Sequence, residues 1–209
     1  TLTGEDGNNK PDAGRKFIRQ KSLRHVEYAK ASNPIKVPVF LTPDSPLYEK
    51  GREYLLGRGI NLETTIDAEY EGAVGYLDNA VAFLGRGEYG DVLYCALRYF
   101  EDQVKEETGE KYNKRDLSGS QKKFPMVLSM PAQDPTAPRD VFMVEGGINA
   151  LAMKMLADKK AKNPFVFTTG GAGPRRWMEN PRIMEVLKSA VSITMMAENE
   201  KKNSRYTAV

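Results

Sequence analysis

The stretch Asp140-Val141-Phe142-Met143-Val144-Glu145-Gly146-Gly147-Ile148-Asn149-Ala150 decides the predicted fold. Its first half is a short apolar run typical of a buried strand, and the run stops at the carboxylate of Glu145. Gly146 and Gly147 permit backbone conformations that other residues resist, which predicts a tight turn. A helix is then expected over residues 150–156, and the side chains predicted to point inward are Leu151, Met155 and Leu156.

This pattern places Glu145 at the carboxyl end of a sheet strand. Open α/β sheets bind ligands at that end of their strands, so Glu145 is a candidate catalytic residue. The alternative is structural, because a carboxylate at this point also caps a following helix or pairs with a lysine. The motif by itself favours neither interpretation.

A second buried strand is predicted over residues 164–169, followed by Gly170-Gly171-Ala172-Gly173 and a helix from Asn180 or Pro181 to Ser189. Such a junction can direct backbone amides at a phosphate, with Arg175 and Arg176 adding positive charge. An ordinary glycine turn is the alternative. The Gly-Lys-Ser/Thr ending of a P-loop is absent, which disfavours a nucleoside triphosphatase. Trp177 beside the arginines could stack on a base, but a lone tryptophan before a helix more often packs in the core.

A third strand, predicted over residues 190–197, leads into Glu198-Asn199-Glu200. Alternation along an extended chain puts both glutamates on one side. Together with Glu145 they gather the carboxylate oxygens that magnesium prefers, which predicts metal-assisted phosphoryl chemistry. The alternative is a polar strand end followed by a charged helix start, since Lys201 and Lys202 come next.

The region upstream predicts a smaller set of mixed elements. Residues 1–44 are rich in glycine, proline and basic side chains, which predicts an arm or linker with few core contacts. We expect a helix from Pro46 to about Gly57 or Gly59 and a short helix over residues 62–68. Further predictions are a strand over 91–99, an exposed hairpin loop over 101–114 and a strand over 125–130. His25, the only histidine, has no cysteine or second histidine to complete a zinc site.

Composition limits the classes of function. The 209 residues carry a net charge of +3, too small by itself to indicate a nucleic-acid partner. Cys95 is the only cysteine, and no apolar run is long enough to span a membrane, so we expect a soluble protein of a reducing, cytoplasmic compartment. The chain starts at Thr1 without a signal sequence, which suggests a piece of a longer protein.

The order of a hydrophobic strand, Glu-Gly, a small apolar helix and a later strand ending in acidic-x-acidic resembles the Toprim family of primases and topoisomerases. Residues 144–151 look like the first Toprim motif, and residues 169–173 look like the turn that follows. The resemblance implies an α/β fold with a Toprim-like (Rossmann-like) sheet and flanking helices, preceded by a smaller α+β region. The implied domains are an arm (1–44), the α+β region (45–135) and a Toprim-like domain (136–209).

Two upstream motifs extend the resemblance. Residues 54–60 (Tyr-Leu-Leu-Gly-Arg-Gly-Ile) and 117–122 (Leu-Ser-Gly-Ser-Gln-Lys) are similar to a region that precedes Toprim in primase-like proteins of plasmids and relaxases. The chain therefore resembles the primase-like C-terminal portion of plasmid mobilisation relaxases. This implies DNA as a partner, with replication or mobilisation proteins, in conjugation or DNA replication, and no membrane.

The resemblance also implies residue roles. Glu145 would be the general acid or base of nucleotidyl transfer or strand cleavage, and Glu145, Glu198 and Glu200 would hold Mg²⁺ or Mn²⁺. The residues implied in phosphate or nucleic-acid binding are Gly146, Gly147, Thr169, Gly170, Gly171, Arg175, Arg176, Lys122 and Lys123, with Lys114 and Arg115 as further DNA contacts.

Two departures from the family pattern favour a second hypothesis. The family usually has aspartates in the acidic pair where this chain has glutamates, and Asn149 stands where an aspartate is common. The alternative is therefore a degenerate Toprim module that binds DNA or a replication partner without catalysis.

Overall fold

The protein is described from a computed structural model, which covers residues 35–129, 138–161, 163–171 and 176–196. All of these residues belong to one compact unit, Pro34–Val209. The predicted boundary near residue 135 falls in residues 130–137, outside the described residues, as do residues 1–34 of the predicted arm. No helix in the described ranges has both the length and the apolar character needed to cross a membrane.

Two helices and an antiparallel sheet form the first half. Helix α1 (Pro46–Gly57) begins at the cap Ser45, and helix α2 (Leu62–Tyr70) begins at the cap Asn61, as the sequence predicts. The sheet has the order β1-β2-β3-β4. Its strands are β1 (Val74–Leu77), β2 (Ala80–Arg86), β3 (Val92–Val104) and β4 (Lys111–Asp116).

The second half is a mostly parallel sheet with the order β5-β7-β6-β8. Strands β7, β6 and β8 are parallel, and the short β5 pairs antiparallel with β7. The elements in chain order are β5 (Val127–Leu128), β6 (Arg139–Val144), helix α3 (Gly147–Ala157), β7 (Phe165–Thr168), a 3-10 turn (Arg176–Glu179), α4 (Pro181–Ser189) and β8 (Ala190–Met195). The predicted α/β class with alternating strands and helices is confirmed.

Alternation along the strands produces three apolar layers. Tyr76 and Phe83 of the first sheet share a central core with Val144, Leu151 and Val166 of the second half. The opposite face of the first sheet has its own core, and the opposite face of the second sheet packs on α4. Because the central layer takes side chains from both sheets, the two halves are held together by a common core.

Strand β8 lies at the edge of the second sheet, and no described strand pairs with its outer side. Val191, Ile193 and Met195 alternate along it and are 70%, 54% and 64% exposed. This row forms a narrow apolar strip on one face of an open edge.

The structure corrects two expectations about local structure in the first half. The predicted loop over residues 101–114 is mostly strand, because β3 continues to Val104 and pairs with β4 from Lys111 onward. Its charged side chains are exposed on both faces, so no apolar alternation marks the ladder. The expectation of few core contacts is wrong for the end of the arm, where Ile35, Val37 and Phe40 pack against the outer core of the first sheet.

Helix α3 differs from its prediction in extent and in orientation. It starts at Gly147 instead of residue 150, since the amide of Ala150 already donates to the carbonyl of Gly146. Leu151 is buried as predicted, but Leu156 is 54% exposed, so its inward assignment is wrong. Lys154 is buried instead, and its charge is compensated by an ion pair with Asp158 one turn later.

Candidate functional site

Glu145 follows the last residue of β6 and precedes the first turn of α3. Its side chain is partly buried, and no hydrogen bond or ion pair joins its carboxylate to another described residue. The cap of α3 is Gly146, without a side-chain hydrogen bond. Neither structural alternative, a helix cap or a lysine pair, is therefore seen within the described ranges, and the carboxylate stands open at the end of its strand.

Of the two glycines after Glu145, only Gly147 is required, and the requirement comes from packing. Gly146 is extended, with φ −133°, which any residue adopts, and a Cβ there would meet no atom within 4 Å. Gly147 is different, because a Cβ at this position would lie 2.2 Å from the ring of Phe83 on β2. The conformational explanation is wrong for both residues. Gly147 is needed so that α3 can approach the first sheet.

The turn after β7 does require glycine. Gly170 and Gly171 have φ of 74° and 99°, a region that other residues rarely adopt. A Cβ at Gly171 would lie 3.9 Å from Oε1 of Glu145, so this turn and the carboxylate are neighbours. The amide of Thr169 donates to the carbonyl of Val144 at 2.7 Å and is not available to a phosphate.

Lys122 links the turn to the first half of the chain. Its ammonium donates to the carbonyl of Gly170 at 2.9 Å and lies 3.4 Å from the carboxylate of Asp116 on β4. Tyr94 donates from its hydroxyl to the same Asp116 at 3.0 Å. Burial, and then the charge of Asp116, raise the pKa of Tyr94, so its hydroxyl keeps its proton at neutral pH. Asp116 is thus already partnered, in contrast to Glu145.

These groups surround a cavity of about 500 Å³ between the two halves of the compact unit. The first sheet and α1 line one side, and the start of α3 with the turn after β7 lines the other. Two carboxylates, Asp116 and Glu145, face it. Five cationic side chains also line it, namely Arg58, Arg98, Lys114, Arg115 and Lys122. The excess of positive charge suits a polyanionic ligand.

Arg98 and Lys114 give the clearest indication that this cavity binds an anion. They are directly opposite each other in the β3–β4 ladder, where like charges destabilise a pair of strands. The Nε atom of Arg98 is buried and has no hydrogen-bond partner. A phosphate between these side chains would satisfy the donor and neutralise both charges.

The amino end of α3 adds a second kind of anion donor. Residues 146–149 line the cavity, and no side chain caps this helix end. The first backbone amides at this end, those of Gly147 and Ile148, have no side-chain cap and can donate to an anion. Backbone donors and cationic side chains therefore face the same space.

Several predicted residues do not join this site. Lys123 does not line the cavity, and its ammonium lies 4.9 Å from the centre of the Phe124 ring. Arg176 is exposed at the start of the 3-10 turn. Trp177 is buried against Phe167, with ring centres 5.4 Å apart, as the core assignment predicts. Arg175, Glu198 and Glu200 lie outside the described residues.

Arg58 and Arg98 were missed at the level of sequence. Arg98 interrupts an apolar strand, between Leu97 and Tyr99, and such a charge inside a strand pattern is a detectable signal. Arg58 is the C-cap of α1 and lies inside the motif of residues 54–60. The resemblance of that motif to primase-like proteins implied no role for the arginine.

The metal site implied by the Toprim resemblance has one described candidate ligand, Glu145. Within the described ranges, no group of three acidic, histidine or cysteine side chains lies close enough to hold an ion. The amide of Met196 donates to the carbonyl of Met143 at 2.9 Å, so the chain leaves β8 beside the end of β6. An open carboxylate oxygen at this edge fits one position of a magnesium coordination shell.

Comparison with known proteins gave structural similarities only. No protein-family model and no curated protein matches the chain. A DnaG catalytic core is 14% identical, with 73% of this chain and 55% of that chain covered and a TM-score of 0.42. The Escherichia coli primase catalytic core is 15% identical, with 73% and 56% covered and a TM-score of 0.40. The RNA polymerase domain of Mycobacterium tuberculosis primase DnaG, in complex with a DNA oligomer, is 13% identical, with 88% and 64% covered and a TM-score of 0.42. The chain spans 55–64% of the length of these structures.

Proposed function

We propose that this chain performs Toprim-type, metal-dependent nucleic-acid processing, either primase-like nucleotidyl transfer or strand cleavage. The observation that carries the proposal is the open carboxylate of Glu145 facing a cavity with five cationic side chains. A nucleic-acid backbone or a nucleotide supplies the phosphates that such cations bind, and phosphoryl chemistry needs a positioned carboxylate beside them.

Each group in the cavity has a proposed task. Arg98, Lys114 and Lys122 hold phosphate oxygens, and the amides at the start of α3 add uncharged donors. Glu145 takes or gives the proton of the attacking or leaving oxygen. Asp116 fixes Tyr94 and Lys122 and takes no part in proton transfer.

Magnesium or manganese would be held by Glu145 together with Glu198 and Glu200. When bound, the ion would stabilise negative charge on the phosphate that reacts. Because Glu198 follows Met196 by two residues, a short continuation of the chain is enough to bring it to the same edge of the sheet.

The metal assignment is tested by calorimetric titration of Mg²⁺ and Mn²⁺ into the whole chain and into the E198Q/E200Q double variant. Binding to the wild type that is lost in the double variant supports the proposal. Glu185→Gln is the matched control, because this glutamate is exposed on α4 and should leave binding unchanged. Equal binding by the wild type and the double variant would refute the ligand set.

We further propose that the chain belongs to a larger plasmid mobilisation or replication protein, as in relaxases with a primase-like portion. The support comes from the two upstream motifs. Arg58, from residues 54–60, and Lys122, from residues 117–122, line the same cavity as Glu145. Motifs that are distant in the sequence therefore contribute to one site, in the combination that the resemblance implies.

A second candidate function is a degenerate module that binds DNA or a replication partner without catalysis. The observation in its favour is the imbalance in the cavity, where the described carboxylates are two and the cations five. The two functions differ in what Glu145→Gln does. In both cases the variant keeps its DNA affinity. If the chain is an enzyme, the wild type has metal-dependent primer synthesis or nicking activity and the variant loses it. If the chain is a binding module, neither protein has that activity.

A further inference from the structure

Helix α2 packs with an inverted pattern of polarity. Its buried face consists of Thr64, Thr65 and Ala68, which are 4%, 1% and 1% exposed. Leu62 and Ile66 point away from the core and are 46% and 44% exposed. Tyr70 continues the row and is 85% exposed. A surface helix normally shows the opposite arrangement, with its large apolar side chains inward.

The buried polar face is compatible with a stable helix. The side chain of Asn61 accepts from the amide of Thr64 at 2.9 Å and caps the helix. Thr65 donates its hydroxyl to the carbonyl of Asn61 at 3.0 Å, so its polar atom is satisfied within the helix. The fold therefore does not need Leu62, Ile66 or Tyr70 in its core.

The exposed side chains form one continuous row. Their spacing of four residues puts them on adjacent turns of the same helix face. Three large apolar side chains in contact with water along one row form a surface typical of a protein interaction site, unlike a single exposed leucine.

The charged side chains that α2 itself carries are all negative. From Asn61 to Gly72 the chain has four acidic residues and no basic residue. The carboxylate of Glu69 accepts from Arg52 and Tyr76, and that of Glu71 accepts from the amide of Ser129. Glu63 and Asp67 follow the apolar residues directly in sequence, and no described residue forms an ion pair with either carboxylate.

We propose that the face of α2 formed by Leu62, Ile66 and Tyr70 is a docking surface for an amphipathic helix of a partner protein whose apolar stripe is flanked by lysine or arginine. Such a helix buries the apolar row and pairs its cations with Glu63 and Asp67. A second copy of this chain, docked by the same face, would bring its own acidic side chains against Glu63 and Asp67, which is unfavourable. An anionic lipid surface would be repelled for the same reason. The proposal does not depend on Glu145 or on the cavity.

The test selects partners without assuming their sequence. A displayed library of random 16-residue helices is enriched on the whole chain and then counter-selected on the I66S/Y70S variant. We expect the survivors to share apolar residues at helical spacing with flanking lysine or arginine. Survivors with acidic or uncharged flanks, or an absence of survivors, would overturn the proposal.

One enriched peptide is then measured by fluorescence anisotropy. We expect at least tenfold weaker binding to I66S/Y70S and about threefold weaker binding to E63Q/D67N. The matched control is V191S/I193S, which removes two exposed apolar side chains from β8 and should bind like the wild type. Equal loss in the control contradicts the assignment to α2. A wild-type dimer in sedimentation that dissociates in I66S/Y70S would overturn it in favour of a second copy.

Discussion

The two sheets contribute different chemistry to the cavity between them. The antiparallel sheet supplies charge for binding, through Arg98, Lys114 and Arg115 on paired strands. The parallel sheet supplies Glu145 and the turn at Gly170, both at the carboxyl ends of neighbouring strands. Under the proposed function, most of the cationic groups that bind phosphate therefore lie in one half of the fold and the catalytic carboxylate lies in the other.

The largest expected effect comes from the parallel sheet alone. Under the proposed enzymatic function, Glu145→Gln should lower metal-dependent primer synthesis or nicking about a thousandfold, because a positioned acid or base contributes roughly 10²–10⁴ in rate. DNA affinity should change little, since the cations remain. Glu185→Gln, exposed on α4 and outside the cavity, serves as the control carboxylate, and a similar loss of activity there would contradict the role of Glu145.

The next largest expected effect is a loss of stability when a side chain is added where α3 packs against the first sheet. Gly147→Val places side-chain atoms where the Phe83 ring lies, and we expect it to destabilise the protein by about 3 kcal/mol in urea unfolding. Gly146→Ala meets no neighbouring atom and should change the free energy of unfolding by less than about 0.5 kcal/mol. Equal stability of the two variants would show that the sheets are not joined through Gly147.

Charge removal on the antiparallel sheet should weaken DNA binding. The R98Q/K114Q double variant should bind single-stranded DNA about tenfold more weakly, with a shallower dependence of affinity on salt by roughly 1.4 in log–log slope. Lys159→Gln with Lys160→Gln removes the same charge from an exposed site. If that control weakens binding equally, the effect reflects net charge and not the cavity.

The smallest expected effect concerns a polar contact between the halves. Glu71 accepts from the amide of Ser129, and its Oε1 is buried without a partner. Burial raises the pKa of Glu71, opposed by the bond from Ser129, so the folded state holds this proton more tightly than the unfolded chain. Stability should therefore fall as pH rises from the ordinary glutamate pKa through the raised one.

Glu71→Gln should remove that dependence and stabilise the protein at pH 7 by roughly 0.5 kcal/mol, while the wild type and the variant converge near pH 4. Urea unfolding at several pH values measures both curves. Glu101→Gln, at an exposed position on β3, should leave the curve unchanged. A variant that is less stable than the wild type at pH 7 would show that the Ser129 bond outweighs the burial cost.

The strands of the parallel half could be predicted from the sequence more completely than those of the antiparallel half. Buried strands such as β6 and β7 are continuous apolar runs that end at glycine or a carboxylate, so both their type and their ends are visible. The end of the β3–β4 ribbon, residues 101–104 and 111–114, is mostly exposed and charged on both faces, so its hydrogen-bonded ladder leaves no trace in the side-chain pattern.

Only part of the candidate site could be predicted from the sequence, for a related reason. Glu145, the turn at Gly170, Arg58 and Lys122 lie within sequence motifs and Arg98 does not, but these residues come together only after the two halves pack. Lys123 shows the same limit, since adjacent lysines of one loop point to different surroundings. Sequence indicates which residues end a strand, but a cavity between distant elements depends on their packing.

The open edge of β8 has a consequence for work with the purified chain. Amides and carbonyls that no described strand pairs, beside the row of Val191, Ile193 and Met195, are a template on which another strand can add. Concentrated samples should therefore lose material by edge-to-edge assembly, at a rate that rises with protein concentration. A lysine at position 193 would interrupt the row, keep the strand extended and improve the colloidal stability of the preparation.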